Sequence, residues 1–261
     1  MPLVSVITPG RGRTDTFARC ASSIDRQTYR NREHIVISDD CSEFFLTASE
    51  WQRDHLDGRV IMSSYNSSIL EGYKPCRAAN MRNLAVQESK GDFIAFLDDD
   101  NSWEPEHLSS LMQMFENNPR LEAAYSFRTL WNVDDTPYLK ATHPWTDVED
   151  REDRYRQLEC MGIYSEGTNL VRDRLSGSSD GKGEVICTVD TSAWLVRRHI
   201  ATAFPFPNSF SSDQQGRLIS EDDAFGRELH HAGVVIATSG LFTLRYYLGG
   251  FSTTEGVRWT I

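Results

Sequence analysis

The sequence predicts an α/β protein: a mainly parallel, twisted sheet flanked by helices, followed by a smaller part of mixed structure. Three observations predict it. Short apolar runs alternate with amphipathic segments over residues 1–127, the order that builds parallel strands joined by crossover helices. Two of those runs end in carboxylates, at Asp39-Asp40 and at Asp98-Asp99-Asp100. Open α/β sheets bind ligands at the C-terminal ends of their strands. Beyond residue 128 the alternation stops and polar stretches interrupt short apolar runs. Residues 1–127 and 128–261 are therefore expected to be two halves of one continuous globular domain.

The elements follow in order. Residues 3–7 read as a first strand. Thr14 and Asp15 are suited to cap a helix that carries Phe17, Ala18, Ala21 and Ile24 on one side. Residues 34–38 form a second strand, and a helical pattern runs through Phe44, Leu46, Ala48 and Trp51. Residues 59–63 give a third strand, and residues 78–89 a helix with Met81, Leu84 and Ala85 on one face. The apolar run 91–97 is a buried strand leading into the acidic triplet. Pro105 suits the first turn of the helix carrying Leu108, Leu111, Met112 and Phe115. Residues 121–127 close the regular half. A hairpin around Asp134-Asp135-Thr136-Pro137 comes next, then strands at 185–189 and 193–196. A helix over 221–231 stops at Gly233, and late strands cover 234–237 and 242–247. Residues 172–184 and 204–217 are polar loops and candidate lids.

Composition narrows the function. Hydrophobic residues make up 39% of the 261, enough for a sizeable core. A net charge of −11 argues against nucleic acid as a partner, because phosphate backbones need a basic face. No apolar run approaches the length of a membrane span, and the first residues lack the pattern of a signal peptide. The five cysteines form no Cys-x-x-Cys pair, which fits a reducing cytoplasm better than a zinc site or a disulfide framework.

The triplet Asp98-Asp99-Asp100 points to chemistry. Adjacent carboxylates repel one another, and a divalent cation with oxygen ligands offsets that repulsion. A solvated acidic turn or a helix cap is the plainer alternative, although three acids are more than a cap needs. Thr8-Pro9-Gly10-Arg11-Gly12-Arg13, Asp39-Asp40, the segment 77–83 and the triplet all fall at element ends that meet on one crevice. Acids beside arginines suit a metal-bound diphosphate.

Val4-Ser5-Val6-Ile7-Thr8-Pro9, Gln27-Thr28-Tyr29 and Glu33-His34-Ile35-Val36-Ile37-Ser38-Asp39-Asp40-Cys41-Ser42 resemble the opening of family 2 glycosyltransferases. Arg82-Asn83, Lys90-Gly91-Asp92-Phe93-Ile94-Ala95-Phe96-Leu97-Asp98-Asp99-Asp100, Trp103 and Pro105 continue the pattern, and Ser220-Glu221-Asp222-Asp223 resumes it. The resemblance implies a GT-A, Rossmann-like fold, a nucleoside-diphosphate sugar as donor, and Mn²⁺ or Mg²⁺. It implies that Thr8, Pro9, Gly10, Arg11 and Asp40 hold the base and ribose, with Arg77 near the nucleotide. It places Asp98 and Asp99 near ribose and Asp100 on the metal, and gives Asn83 a structural bond to backbone near the fourth strand. It also implies an inverting transfer to an acceptor hydroxyl, with Asp222 as base and Asp223 as the alternative in an ambiguous register. The acceptor is unspecified. One departure stands out: Gly10-Arg11-Gly12 replaces the Tyr-Asn-Arg usual after the first proline, so Arg11 is the group left to stack on a base. The rival readings are a nucleotidyltransferase, which would favour a lysine-bearing Gly-rich loop after the first strand, and a non-catalytic nucleotide-sugar or carbohydrate-binding protein.

Overall fold

The computed structural model describes residues 1–55, 58–63, 74–176, 185–216 and 219–249. The regular half begins with β1 (Val4–Gly10), α1 (Thr14–Asp25), β2 (Arg32–Asp39), α2 (Ser42–Arg53) and β3 (Gly58–Ser63). It continues with α3 (Lys74–Glu88), β4 (Phe93–Phe96), the two-residue β5 (Ser102–Trp103), α4 (His107–Asn117) and β6 (Ala123–Trp131). The second half contains α5 (Arg151–Cys160), β7 (Leu170–Val171), β8 (Leu175–Ser176), β9 (Ile186–Cys187) and β10 (Trp194–Arg197). It ends with α6 (Arg198–Ala203), α7 (Ser212–Gly216), α8 (Glu221–His231) and β11 (Ile236–Tyr247).

β1 is central. It pairs in parallel with β2 on one side and β4 on the other, and β3 extends the sheet beyond β2. Val4, Val6, Ile7, Ile35, Val36, Ile37 and Ile94 are wholly buried. Continuous apolar strands of this kind are what a sheet covered on both faces requires. The strand order is β3-β2-β1-β4-β10-β6-β11-β5, with β7 on β6, so one nine-stranded sheet runs through both halves, and β8 and β9 form a separate two-stranded sheet among the described residues.

The later strands are less regular than the sequence predicts. β10 inserts antiparallel between β4 and β6, whereas β11 runs parallel to β6. The two late strands are one strand, β11, with register shifts after Thr238 and a left-handed Gly240 (φ 69°). Residues 204–217 contain helix α7, and β8 pairs with β9, so neither candidate lid is loop throughout; residues 177–184 and 217 lie outside the described residues. Trp194 is fully buried in the core.

Two cap assignments change. Arg13, not Thr14 or Asp15, occupies the N-cap of α1; its donor-only guanidinium has no oxygen to accept a helix N–H, and it pairs instead with the acidic triplet. The helix after the triplet starts at His107, beyond β5, so none of the three acids caps it.

Gly226 fixes how closely α8 lies on the sheet. A methyl group there would sit 2.4 Å from Cys187 Sγ. Gly226→Ala is expected to destabilise the fold by about 1–3 kcal/mol, the usual range for overpacking, despite alanine's better helix propensity. Cys187→Ala in the same chain should restore part of the loss, because the sulfur is the obstacle. Urea unfolding midpoints of the two single variants and the double variant measure that coupling, and additive losses would refute it.

Candidate active site

The C-terminal ends of β1, β2 and β4 lie side by side, since β1 pairs with both neighbours. Leu97 N–H still bonds Ile7 carbonyl (2.9 Å), so Asp98 is the first residue past the ladder. Its N–H donates to Ser192 Oγ (3.2 Å). The three carboxylates then diverge. Asp98 Oδ1 accepts from Arg82 Nη2 (2.6 Å). Asp99 Oδ1 faces Arg13 Nη2 (2.5 Å) and Asp100 Oδ2 accepts from Arg13 Nη1 (2.5 Å). Arg19 Nη2 donates to the Asp100 carbonyl (2.8 Å).

Asp99 is completely buried, and its Oδ2 has no partner. Burial pushes its carboxyl up to about 8, against the pull of Arg13 and with Asp100 and Asp98 adding to the rise. Burial likewise raises Asp100. Arg13 is thus shared between two carboxylates, and Asp99 keeps an oxygen without a hydrogen-bond partner.

Arg82 joins the triplet to the second half of the chain. Its Nη1 donates to Glu221 Oε1 (2.6 Å) while its Nη2 holds Asp98, and the residue is only 3% exposed. The guanidinium fork serves two carboxylates at once, which a point charge does poorly. Burial raises the Glu221 carboxyl to about 7, against the pull of Arg82.

Glu221 opens α8, and Ser220 is its N-cap. Asp222 Oδ1 accepts from Ser220 Oγ and from Asp223 N–H (2.9 Å). So Asp222 does take part in the helix cap, and a capping acid at a helix N-terminus is electrostatically at home. Asp223 is pushed up to about 7 by burial and then by Asp222. Nearby, Arg128 bonds Asp190 Oδ2 (3.0 Å) and pairs with Asp173 (3.2 Å). Burial raises Asp190 to about 7, and the charges of Asp98 and Asp222 add to that. Asp98 at the end of β4 and Asp222 at the start of α8 therefore both act on Asp190.

At the other edge, Asp39 and Asp40 separate. Asp39 is buried and accepts from Arg77 Nε (2.5 Å), with Arg11 Nη1 at 3.7 Å. Asp40 is exposed and sits in the left-handed region (φ 47°), pointing the chain into the turn before α2. Asp39, rather than Asp40, thus faces the arginines. Thr8 is wholly buried, and its hydroxyl meets His34 Nε2 (2.8 Å), so only neighbouring groups of that loop can reach a ligand. Pro9 is half-buried, and Gly10 has no room for a side chain: a methyl there would lie 2.0 Å from the Phe44 ring. Arg11 is about half exposed and lies 3.7 Å from Asp39. Asn83 is structural, as expected: it bonds the Phe206 backbone in both directions (2.8 Å), and the Phe206 ring packs 5.0 Å from that of Phe96 on β4.

The metal implied by the resemblance can be tested against these groups. Among the described residues no three His, Cys, Asp or Glu side chains form a ready-made cage. Mg²⁺-type ions need none: they take one or two carboxylates plus substrate phosphates and water. Asp100, partly exposed beside the unpartnered Asp99 oxygen, fits that role.

The fold is an α/β sheet flanked by helices with acids and arginines at three adjacent strand ends, and it matches the GT-A architecture of solved glycosyltransferases. The chain belongs to glycosyl transferase family 2, whose profile matches residues 5–173. A curated relative, the UDP-Glc:alpha-D-GlcNAc-diphosphoundecaprenol beta-1,3-glucosyltransferase WfgD of Escherichia coli, is 33% identical over 118 residues, covering 44% of this chain and 42% of the relative. The crystal structure of S. aureus TarS 1-349 superposes with a TM-score of 0.60 at 15% identity, over 95% of this chain and 60% of that one. The mannosyltransferase PcManGT from Pyrobaculum calidifontis, in complex with GDP-Man and Mn²⁺, gives a TM-score of 0.60 at 14% identity, over 97% of this chain and 59% of its own. The chain thus spans less than two thirds of each of these proteins, and the structural likenesses concern the fold. No helix of the described residues is long and apolar enough to cross a membrane.

Proposed function

We propose that this chain transfers a sugar from a nucleoside-diphosphate sugar to an acceptor hydroxyl, with inversion, and that a divalent cation assists. The observation that carries the reading is the Arg82 bridge from Asp98 to Glu221. It sets the first turn of α8 beside the acidic end of β4, so a base and a donor site face each other.

The roles follow from placement. The loop Thr8, Pro9, Gly10 and Arg11 borders the base, with Arg11 as the stacking group. Asp39 takes the hydrogen-bonding role first expected of Asp40, because it is the acid turned toward Arg11 and Arg77. Asp98 faces ribose and Asp100 holds Mn²⁺ or Mg²⁺; Asp99, expected near ribose, is wholly enclosed and so acts through its charge beside Asp100 rather than by touching the nucleotide. That cation, when bound, offsets charge on the departing diphosphate. Asp222 accepts the proton of the attacking hydroxyl. The donor's sugar and base, and the acceptor, are set by contacts that family membership does not fix.

Asp100→Asn tests the donor site directly. The neutral amide keeps the shape but removes the charge that holds a cation, so Mn²⁺-dependent affinity for UDP or GDP should fall at least tenfold, about 1.4 kcal/mol. Calorimetric titration with and without Mn²⁺ reads this. Unchanged affinity in the variant would remove Asp100 from the metal.

A further inference from the structure

We propose that Arg13 is a resident counter-cation that keeps Asp100 from a free divalent ion and releases it when the donor diphosphate arrives. The proposal rests on the donor-site reading above and adds an order of events to it. Arg13 spans two carboxylates, with one nitrogen 2.5 Å from Asp99 and the other 2.5 Å from Asp100. Among the described residues it is the cation in contact with the Asp100 carboxylate; Arg19 reaches only the Asp100 carbonyl. A metal ion seeking Asp100 therefore competes with an arginine already in place.

The surroundings make Arg13 the group that can move. Its side chain is 36% exposed, whereas that of Arg82 is 4% exposed and tied to both Asp98 and Glu221. Arg13 stands at the N-cap of α1 with no cap bond to break. It ends the loop after β1, and a diphosphate on the crevice lies within that loop's neighbourhood. Guanidinium matches phosphate oxygens as well as carboxylates, so the diphosphate gives Arg13 a second partner. Asp99 is buried and stays, while Asp100 gains the cation. Metal and nucleotide then assist each other's binding, and reciprocity requires the same factor in both directions.

Electron paramagnetic resonance of free Mn²⁺ tests this without turnover. In wild-type protein, Mn²⁺ alone should bind weakly, and UDP or GDP should tighten it at least tenfold. In Arg13→Gln, Mn²⁺ alone should bind at least tenfold more tightly than in wild type, and the nucleotide should add little. Asp100→Asn in the Arg13→Gln background should abolish that gain. Arg13→Lys, which keeps the charge but cannot span both acids, should fall between; it decides the matter if Arg13→Gln does not fold. Should Mn²⁺ affinity without nucleotide be unchanged or weaker in both Arg13 variants, while wild type binds nucleotide with Mn²⁺, the proposal falls and the donor site stands. Absence of Mn²⁺ binding in every protein, with or without nucleotide, would overturn both.

Discussion

Asp222→Asn is expected to lower turnover by about 10²- to 10⁴-fold, the usual contribution of a general base, while donor affinity changes by less than about threefold. The asparagine oxygen can still accept from Ser220 Oγ and the Asp223 N–H, so the start of α8 keeps its cap. What it cannot do is take a proton from the acceptor hydroxyl. On the proposed roles the donor is held on the Asp98 side of the Arg82 bridge, and turnover and binding are therefore expected to separate. Asp223→Asn should have a smaller effect on turnover. Paired assays of nucleoside diphosphate formation and calorimetric donor binding separate the two outcomes. Turnover kept in Asp222→Asn but lost in Asp223→Asn would move the base by one residue.

Arg82→Gln should produce the largest loss of stability of any single substitution at the site. Removing one partner of a buried ion pair costs about 3–5 kcal/mol, because it leaves an uncompensated charge. Here the change strands two carboxylates, Asp98 and Glu221, in a place where Arg82 is almost wholly enclosed. For a chain of this size the melting temperature should fall by roughly 10 °C or more. Adding Glu221→Gln should recover part of the loss, since one stranded charge is then gone. Arg82→Lys should lie between, as an ammonium cannot hold both acids with the same fork. Thermal melts of the single and double variants supply the cycle. An Arg82→Gln protein that melts like wild type would show that the bridge does not join the two halves.

The regular part of the fold was readable from residue pattern alone. β1, β2 and β4 are apolar runs buried on both faces, and α8 has a serine cap and a glycine stop. The antiparallel insertion of β10 was not readable, because a four-residue buried strand carries no mark of its direction. The site divides in the same way. The triplet announces itself, since clustered acids at a strand end need an explanation. The arginines do not. Arg82 reaches Glu221 across 139 positions of sequence, and Arg13 and Arg128 likewise find partners far along the chain. Long flexible side chains leave no periodic trace of where they point. Asp39 and Asp40 show the limit of adjacency: Asp39 ends β2 buried against Arg77, while Asp40 begins the turn with a positive φ and is exposed.

The most direct measurement is release of nucleoside diphosphate from a panel of UDP-, GDP- and dTDP-sugars incubated with the protein and Mn²⁺, with Asp222→Asn and Asp100→Asn alongside. Release from at least one donor in wild type, greatly reduced in both variants, is the predicted result. No release from any donor by folded wild-type protein, with or without a panel of acceptor sugars, would contradict a glycosyl-transfer site at the ends of β1, β2 and β4.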